Sequence, residues 1–276
     1  MVFDFFKKSN LVGLDIGSNS VKIIRLRESA GGISLLNFDV AILPRETVVD
    51  GTIMNFTLLV DKIKELVRVN NLKNQDCILA VSGNSVIIKK ISLPEMSTEE
   101  LEDSIQWEAE QYIPFDIKDV NVDFQILNPR AGHGQMDVLL VAAKKDIIND
   151  YVSISIEAGL NPSVVDVATF SVQNMFELNY GFPSGETIAL INSGASHINI
   201  NVIANGVTSF TRDISMGGSA LTEEIQKQLN VTWEEAEQFK IGHEGSVSSS
   251  TITKEVSRIS ERITETMTTE IQRSLP

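Results

Sequence analysis

Between Asp15 and Lys22 the chain reads DIGSNSVK, which packs an aspartate, a glycine, two serines, an asparagine and a lysine into one short stretch. Those residue types suit an anion, and phosphate in particular. Gly17 permits a tight turn, completed by Ser18, Asn19 and Ser20, and the exposed N–H groups of such a turn can cradle negative charge. Ser18 and Ser20 add hydroxyl donors, and Lys22 adds a compact positive charge. Asp15 could reach a Mg²⁺ ion through the metal's water shell. A polar turn that binds nothing would carry the same residues, so the stretch alone leaves both readings open.

The elements that would position these residues are legible around them. Leu11–Leu26, LVGLDIGSNSVKIIRL, consists of two apolar β-type runs flanking a small-residue turn, the pattern of a hairpin. Gly31-Gly32 turns the chain into a third run, Ile33–Ile42, giving a three-stranded meander. Phe56, Leu59, Val60, Ile63, Leu66 and Val67 then recur at helical spacing, and a buried-type strand follows at Cys77–Val81. Meander, helix and strand make a mixed sheet with a helix against it.

Next comes a segment with a different rhythm. Val86–Leu93 reads as a strand, and Ser97 with Glu100 forms a capping box opening a helix that carries Leu101, Ile105, Glu108 and Tyr112 on one face. Val120–Leu127 and Asp137–Ala143 are strands joined by a loop over Asn128–Gln135. A helix over Asp146–Ala158 stops at Gly159. This β-α-β-β-α order fits a small α+β subdomain inserted into a larger one. Val164–Val167 returns to strand, Ala168–Leu178 to helix, and Pro183-Ser184-Gly185 marks a joint.

Beyond the joint the sequence repeats itself. Ile188–Ile200, IALINSGASHINI, aligns with the opening hairpin so that Asn192 matches Asp15, Gly194 matches Gly17 and Ser196 matches Asn19. Val207–Asp213 supplies a third strand, so the meander recurs too, and such repeats fix architecture. Two copies of one phosphate-type hairpin, one per lobe, would pinch a triphosphate between them. Downstream, Met216-Gly217-Gly218-Ser219 precedes a helix with Leu221, Ile225 and Leu229. Thr232 caps another, Trp233–Ile241, on which Glu237 and Lys240 share a face. That pair is either a solvated ion pair or a group that hydrogen-bonds a ribose or base edge. His243–Ser250 reads as a polar loop and Ser260–Leu275 as a final helix.

Composition narrows the function classes. A chain of 276 residues exceeds the usual single-domain size, so two lobes are expected. No run approaches the roughly 18 apolar residues of a membrane span. The opening MVFDFFKKSN lacks the apolar stretch and cleavage site of a secretory signal. Its Phe3, Phe5 and Phe6 read as a leader packing on the body, with a membrane-touching role as the alternative. One cysteine, Cys77, excludes an internal disulfide and suits a reducing compartment. A net charge of −14 argues against a nucleic-acid partner, since phosphate-backbone binding rests on Lys and Arg.

With both hairpins and the inserted segment in hand, the chain resembles the actin-like ATPase superfamily. Within it, the sequence is most similar to the type IV pilus assembly PilM family, relatives of the cell-division protein FtsA. The resemblance rests on LVGLDIGSNSVKIIRL, on LPEMSTEELEDSIQWEAEQYIPFDIKDVNVDFQIL, and on DISMGGSALTEEI with EEAEQFKIG. It implies an α/β, two-lobed, duplicated ribonuclease H-like fold with ATP and Mg²⁺ in the cleft. The first lobe would span 1–84 with 163–183 returning to it, the insertion 85–162, and the second lobe 184–276. Asp15, Gly17, Ser18, Asn19, Ser20 and Lys22 fall on the first phosphate loop, with Asp15 reaching Mg²⁺ through water. Asn192, Gly194, Ala195 and Ser196 fall on the second loop. Gly217 and Gly218, with Glu237 and Lys240, fall where relatives approach the ribose and adenine. The resemblance further implies a scaffold on the cytoplasmic face of the inner membrane. Such a scaffold holds the N-terminal cytoplasmic peptide of PilN in a groove between first lobe and insertion, beside other pilus assembly proteins and with self-association open.

Two departures from the family pattern bear on activity. The second loop begins with Asn192 where relatives usually carry an aspartate that organises Mg²⁺; the asparagine keeps an oxygen and loses the charge. Asp166–Phe176 offers no clear group to position a water for phosphoryl transfer. Relatives continue past the position of Pro276 with a glycine-rich adenosine loop, so a natural end there would leave the second lobe short of one wall. Together these features favour a nucleotide-binding scaffold with at most weak ATPase activity. An FtsA-like division or filament protein is the alternative, and a metabolic kinase of the same superfold lies further off.

Overall fold

The computed structural model describes residues 11–29, 32–242 and 250–275. The aromatic leader, the turn at Gly31 and most of the His243–Ser250 loop lie outside them. Contacts divide the chain into two compact units, Met1–Ile188 with Val202–Thr211, and Ala189–Asn201 with Arg212–Pro276.

The first unit is built on a five-stranded sheet. Its strands are β1 (Val12–Ile16), β2 (Ser20–Ser29), β3 (Gly32–Ile42), β6 (Asp76–Val81) and β10 (Asn161–Val167), in the order β10-β6-β1-β2-β3. The meander β1-β2-β3 is antiparallel, and β6 and β10 run parallel to β1. Val12, Leu14 and Ile16 alternate inward with Val21 and Ile23. Onto that face pack α1 (Phe56–Val69) and α3 (Lys145–Glu157). Helix α1 begins where the Asn55 side chain accepts the Leu58 N–H at 3.1 Å, a cap that satisfies one orphan donor. It buries Leu59, Val60, Ile63, Leu66 and Val67, each contributing roughly 1.5–3 kcal/mol of transfer free energy.

Between α1 and the meander, β4 (Val48–Val49) and β5 (Thr52–Ile53) form a small hairpin with Val49 opposite Thr52. Its two central residues, Asp50 and Gly51, have φ of 52° and 78°, the positive values a two-residue turn needs. The Tyr151 hydroxyl on α3 donates to the Gly51 carbonyl at 3.1 Å. A Cβ on Gly51 would stand 3.0 Å from the Ser82 carbonyl, so the tip also lies against the chain leaving β6.

The inserted sheet has the order β7-β9-β8, from β7 (Val86–Pro94), β8 (Val120–Gly132) and β9 (Gln135–Lys144). Helix α2 (Thr98–Glu110) covers it, opened by the expected capping box between Ser97 and Glu100. Leu101, Ile105 and Ala109 pack with Met136, Val138 and Leu140 in a core of their own. Four details differ from the sequence expectation. The inward position after Ile105 is Ala109, which closes the helix face more tightly than Glu108 could. The expected loop over 128–135 is mostly strand, because the chain reverses at His133 and Gly134, with φ of 55° and 71°, and the ladder reaches Gly132 opposite Gln135. Helix α3, read from chain order as part of the insertion, buries Ile147, Tyr151 and Ile154 in the core of the five-stranded sheet. The strand β10 likewise starts at Asn161, three residues before the expected Val164, beside Asp76.

After α4 (Ala168–Tyr180) a three-stranded sheet, β11-β12-β13, is formed by β11 (Thr187–Ser193), β12 (Ile198–Ala204) and β13 (Val207–Ile214), so the meander does recur. The second unit adds α5 (Gly218–Leu229), α6 (Trp233–Ile241) and α7 (Ser250–Ser274). Ile225, Ala236 and Ile259 form their common core, with Leu221, Phe239 and Ile263 against it. Helix α7 starts ten residues before the expected Ser260. The Ser/Thr-rich run that precedes Ser260 is a weak helix former on its own, and the packing of Val256 and Ile259 on α5 and α6 overrides that preference.

Candidate functional site

The first glycine turn sits at the carboxyl end of β1. Gly17 N–H donates to the Ser20 carbonyl at 3.0 Å, and the Asn19 carbonyl accepts from Leu43 N–H at 2.9 Å, which ties the turn to the end of β3. A Cβ on Gly17 would stand 3.2 Å from the Ser20 carbonyl and 3.9 Å from Lys22 Nζ. The lysine ammonium therefore lies beside the turn. Register sets Asp15 directly opposite Lys22, and Lys22 Nζ donates to Asp15 Oδ2 at 2.8 Å. Both side chains are well exposed, 64% for Asp15 and 43% for Lys22. Such a pair is worth about 0–1 kcal/mol, so a bound phosphate can take the lysine at little cost.

The second turn repeats the glycine bond of the first. Gly194 N–H donates to the His197 carbonyl at 2.8 Å. A Cβ on Gly194 would again stand 3.2 Å from the acceptor, the same separation as at Gly17. Asn192 occupies the place of Asp15 and is exposed, and Ser196 Oγ lies 3.0 Å from His197 Nδ1.

Helix α5 is built directly onto this second turn. Gly218 N–H donates to the Gly194 carbonyl at 3.0 Å and Ser219 N–H to the Ala195 carbonyl at 2.8 Å. These bonds satisfy N–H groups that a helix start otherwise leaves free. Gly217 makes the approach feasible: a Cβ there would be 2.5 Å from both the Gly194 and Ala195 carbonyl oxygens. Glu237 and Lys240 reach the same place from α6. Lys240 Nζ lies 2.6 Å from Glu237 Oε2, donates to Thr222 Oγ1 at 2.8 Å, and is 3.4 Å from the Gly218 carbonyl. The Thr222 hydroxyl donates to Glu237 Oε2 at 2.6 Å. The pair is thus part of a network joining α5 to α6 and is no mere solvated ion pair. The site residues expected on the second lobe's loops fall together in the second unit, and those of the first hairpin fall together in the first.

Three residues escaped the sequence reading. Thr222 is fully buried and links Glu237 to Lys240; its signal is its place one helical turn beyond Gly218. Asp166 is the penultimate residue of β10, and the ladders set it level with Ala80 while Leu14, Leu79 and Val165 share the level below. Asp15 and Asp166 therefore stand on one face of the sheet, about two strand spacings or ~10 Å apart. Both lie at the carboxyl ends of parallel strands, where open α/β sheets bind ligands. Burial pushes the Asp166 carboxyl above its ordinary range, partly offset by the Val167 N–H it accepts. Tyr151 is pushed up to about 12 by burial, with the Asp15 charge adding to the shift.

Among the described residues no group of three or more His, Cys, Asp or Glu side chains is arranged to hold a metal ion. A lone exposed carboxylate at Asp15 fits a Mg²⁺ held mainly by water and phosphate oxygens, the usual habit of that ion, rather than by a protein cage.

Residues 13–275 match the family described as type IV pilus assembly protein PilM. The chain belongs to that family. It is also similar to the solved PilM-PilN type IV pilus biogenesis complex, with 25% identity, a TM-score of 0.83, and coverage of 96% of this chain and 76% of that one. The cell division protein FtsA of Bacillus subtilis (strain 168) is 25% identical over 265 residues, 84% of this chain. The chain spans 58% of the length of that curated relative. The ethanolamine utilization protein EutJ of Carboxydothermus hydrogenoformans shares the fold at a TM-score of 0.53 and 15% identity, over 95% of this chain and 70% of that one. The fold is that of the actin-like ATPases, with the two-lobed α/β architecture and the PilM and FtsA relationship expected from the sequence.

Proposed function

We propose that this PilM-family chain is an ATP-binding scaffold of the type IV pilus assembly complex. In this reading it holds the N-terminal cytoplasmic peptide of a PilN-like membrane protein in a groove between the first core and the inserted sheet. The observation that carries the reading is the likeness to the PilM of a PilM-PilN complex across 96% of the chain. The partner would keep the chain peripheral on the cytoplasmic face of the inner membrane, beside other pilus assembly proteins. Among the described residues no helix is long and apolar enough to cross a membrane.

The two glycine turns are the phosphate-binding elements in this proposal, with Lys22 supplying charge and Asp15 reaching Mg²⁺ through water. Mg²⁺ would neutralise phosphate charge when bound. The protein's own residues orient the phosphates through backbone N–H groups, and the Thr222–Glu237–Lys240 network holds α5 and α6 beside Gly217 and Gly218 for the nucleoside. Asp166 is the carboxylate placed to orient a water. Asn192, uncharged where Asp15 has its carboxylate, favours holding ATP over turning it over. Nucleotide binding then acts on partner affinity only as far as the peptide distinguishes the bound and free states. Calorimetric titration of the full chain with a PilN-type N-terminal peptide tests the reading. Saturable heat that responds to ATP is expected, and no heat from a folded sample refutes it.

The match to FtsA supports a second reading, a division or filament ATPase. It predicts ATP-dependent polymers that scatter light or pellet without any pilus peptide.

A further inference from the structure

Strand β3 is the outermost strand of the five-stranded sheet, and among the described residues no strand pairs with its outer edge. Its ladder with β2 contains one extra residue. Arg25 faces Asn37 and Leu26 faces Leu35, which leaves Leu36 unpaired, as a β-bulge does. Residues opposite each other in a ladder share a face. Val21 and Ile23 define the buried face, so the residues between them, and their partners on β3, define the other.

The bulge re-phases β3 so that Ile33, Leu35, Phe38, Val40 and Ile42 all lie on that other face. They are 40% to 64% exposed, and Ile24 beside them is 38% exposed. Without the extra residue the alternation would send one end of this row into the core face. Natural sheets usually blunt an open edge with charge or proline. The single charge in β3, Asp39, lies off the row, accepting from Asn70 Nδ2 at 2.8 Å through Oδ2 and from the neighbouring Val40 N–H at 2.9 Å through Oδ1. A long apolar row beside a strand edge that no other strand covers is unusual on a protein that stays alone.

We infer that β3 is a self-association edge, along which two copies of this chain pair antiparallel and join their sheets. The row is its own complement. With Leu36 unpaired in each copy, a two-fold axis through Phe38 sets Phe38 opposite itself, Leu35 opposite Val40 and Ile33 opposite Ile42, the reciprocal contacts of an isologous interface. A strand of this length spans about 36 Å. A strip that long and ~10 Å wide covers roughly 360 Å² per copy, less than half a standard interface. The dimer is therefore weak and concentration-dependent, and it does not rest on the pilus reading.

Sedimentation of the full chain from low-micromolar to near-millimolar concentration tests it, alongside Leu35→Lys and Phe38→Lys. Both positions are more than half exposed, so unfolding midpoints should stay at the wild-type value and certify the fold. The wild type should move from monomer to dimer, and each variant should weaken that association at least tenfold. A wild type that stays monomeric throughout overturns the inference, as does a dimer that survives both substitutions. Capture of the monomer on anionic lipid vesicles, lost in both variants and without any dimer, assigns the face to a membrane and also overturns it.

Discussion

Gly217 and Gly218 look interchangeable in the sequence, and their geometry separates them. A methyl group on Gly217 would stand 2.5 Å from two backbone oxygens and 2.6 Å from the Ala195 carbonyl carbon, none of which belongs to a flexible side chain. In Gly217→Ala the start of α5 must retreat from the second turn. That retreat strains the bonds from Gly218 and Ser219 to the Gly194 and Ala195 carbonyls. Losing two such bonds costs about 1–3 kcal/mol, and absorbing the overlap without losing them costs a similar ~1–3 kcal/mol. The two are alternatives, so the expected loss is about 2 kcal/mol. On Gly218 a methyl group meets nothing closer than 3.8 Å. There, in the first turn of a helix, alanine should be neutral or stabilising by up to ~1 kcal/mol. Urea unfolding of both variants, followed by tryptophan fluorescence from Trp233 on α6, reads the difference. Equal midpoints for the two variants would show that the helix start does not rest on the second turn as described.

Lys22→Ala should lower ATP affinity by tenfold or more in equilibrium dialysis while moving stability by less than ~1 kcal/mol, because its pair with Asp15 is exposed; undiminished binding removes the first turn from the phosphate site. Asp166→Asn should raise the urea midpoint at pH 7. Burial raises the folded-state pKa of Asp166, so folding is penalised once the carboxyl must ionise, and the penalty vanishes below the unfolded pKa of about 4. The variant's advantage should therefore shrink as pH falls, and a gain that persists in acid would trace it to packing instead. The same substitution should abolish any residual ATP hydrolysis measured by phosphate release, with nucleotide binding retained.

The repeated turn was legible because its requirement is local. Gly17 and Gly194 hold the same place in two short apolar-polar-apolar runs, and a glycine with its acceptor three residues on is all the hydrogen bond needs. Helix α2 announced itself for the same reason, through Ser97 and Glu100. What escaped was non-local. Chain order places α3 with the insertion, whereas the partners of Ile147, Tyr151 and Ile154 are residues of α1 and the first sheet, far back in sequence. Thr222 reads as an ordinary helical threonine until α6 brings Glu237 and Lys240 to it. Asp166 becomes notable only when register sets it on the same face as Asp15. The Asp50-Gly51 turn is the exception, a local hairpin signal obscured by strands of only two residues each.

That small hairpin governs how the first unit can come apart. Its tip touches α3 through the Tyr151 hydroxyl and the Ser82 carbonyl through the backbone of Gly51. The inserted sheet leaves the first core just after Ser82 and returns to it at α3, so both of its attachments pass the same glycine. A fluctuation that releases Gly51 loosens the two attachments together. The amides at the two junctions should then exchange with solvent as one cooperative unit, faster than those of β1 and β6. At Gly51 the two attachments of the insertion share one contact point, and its hydrogen-bond acceptor is a backbone carbonyl that no side-chain substitution removes.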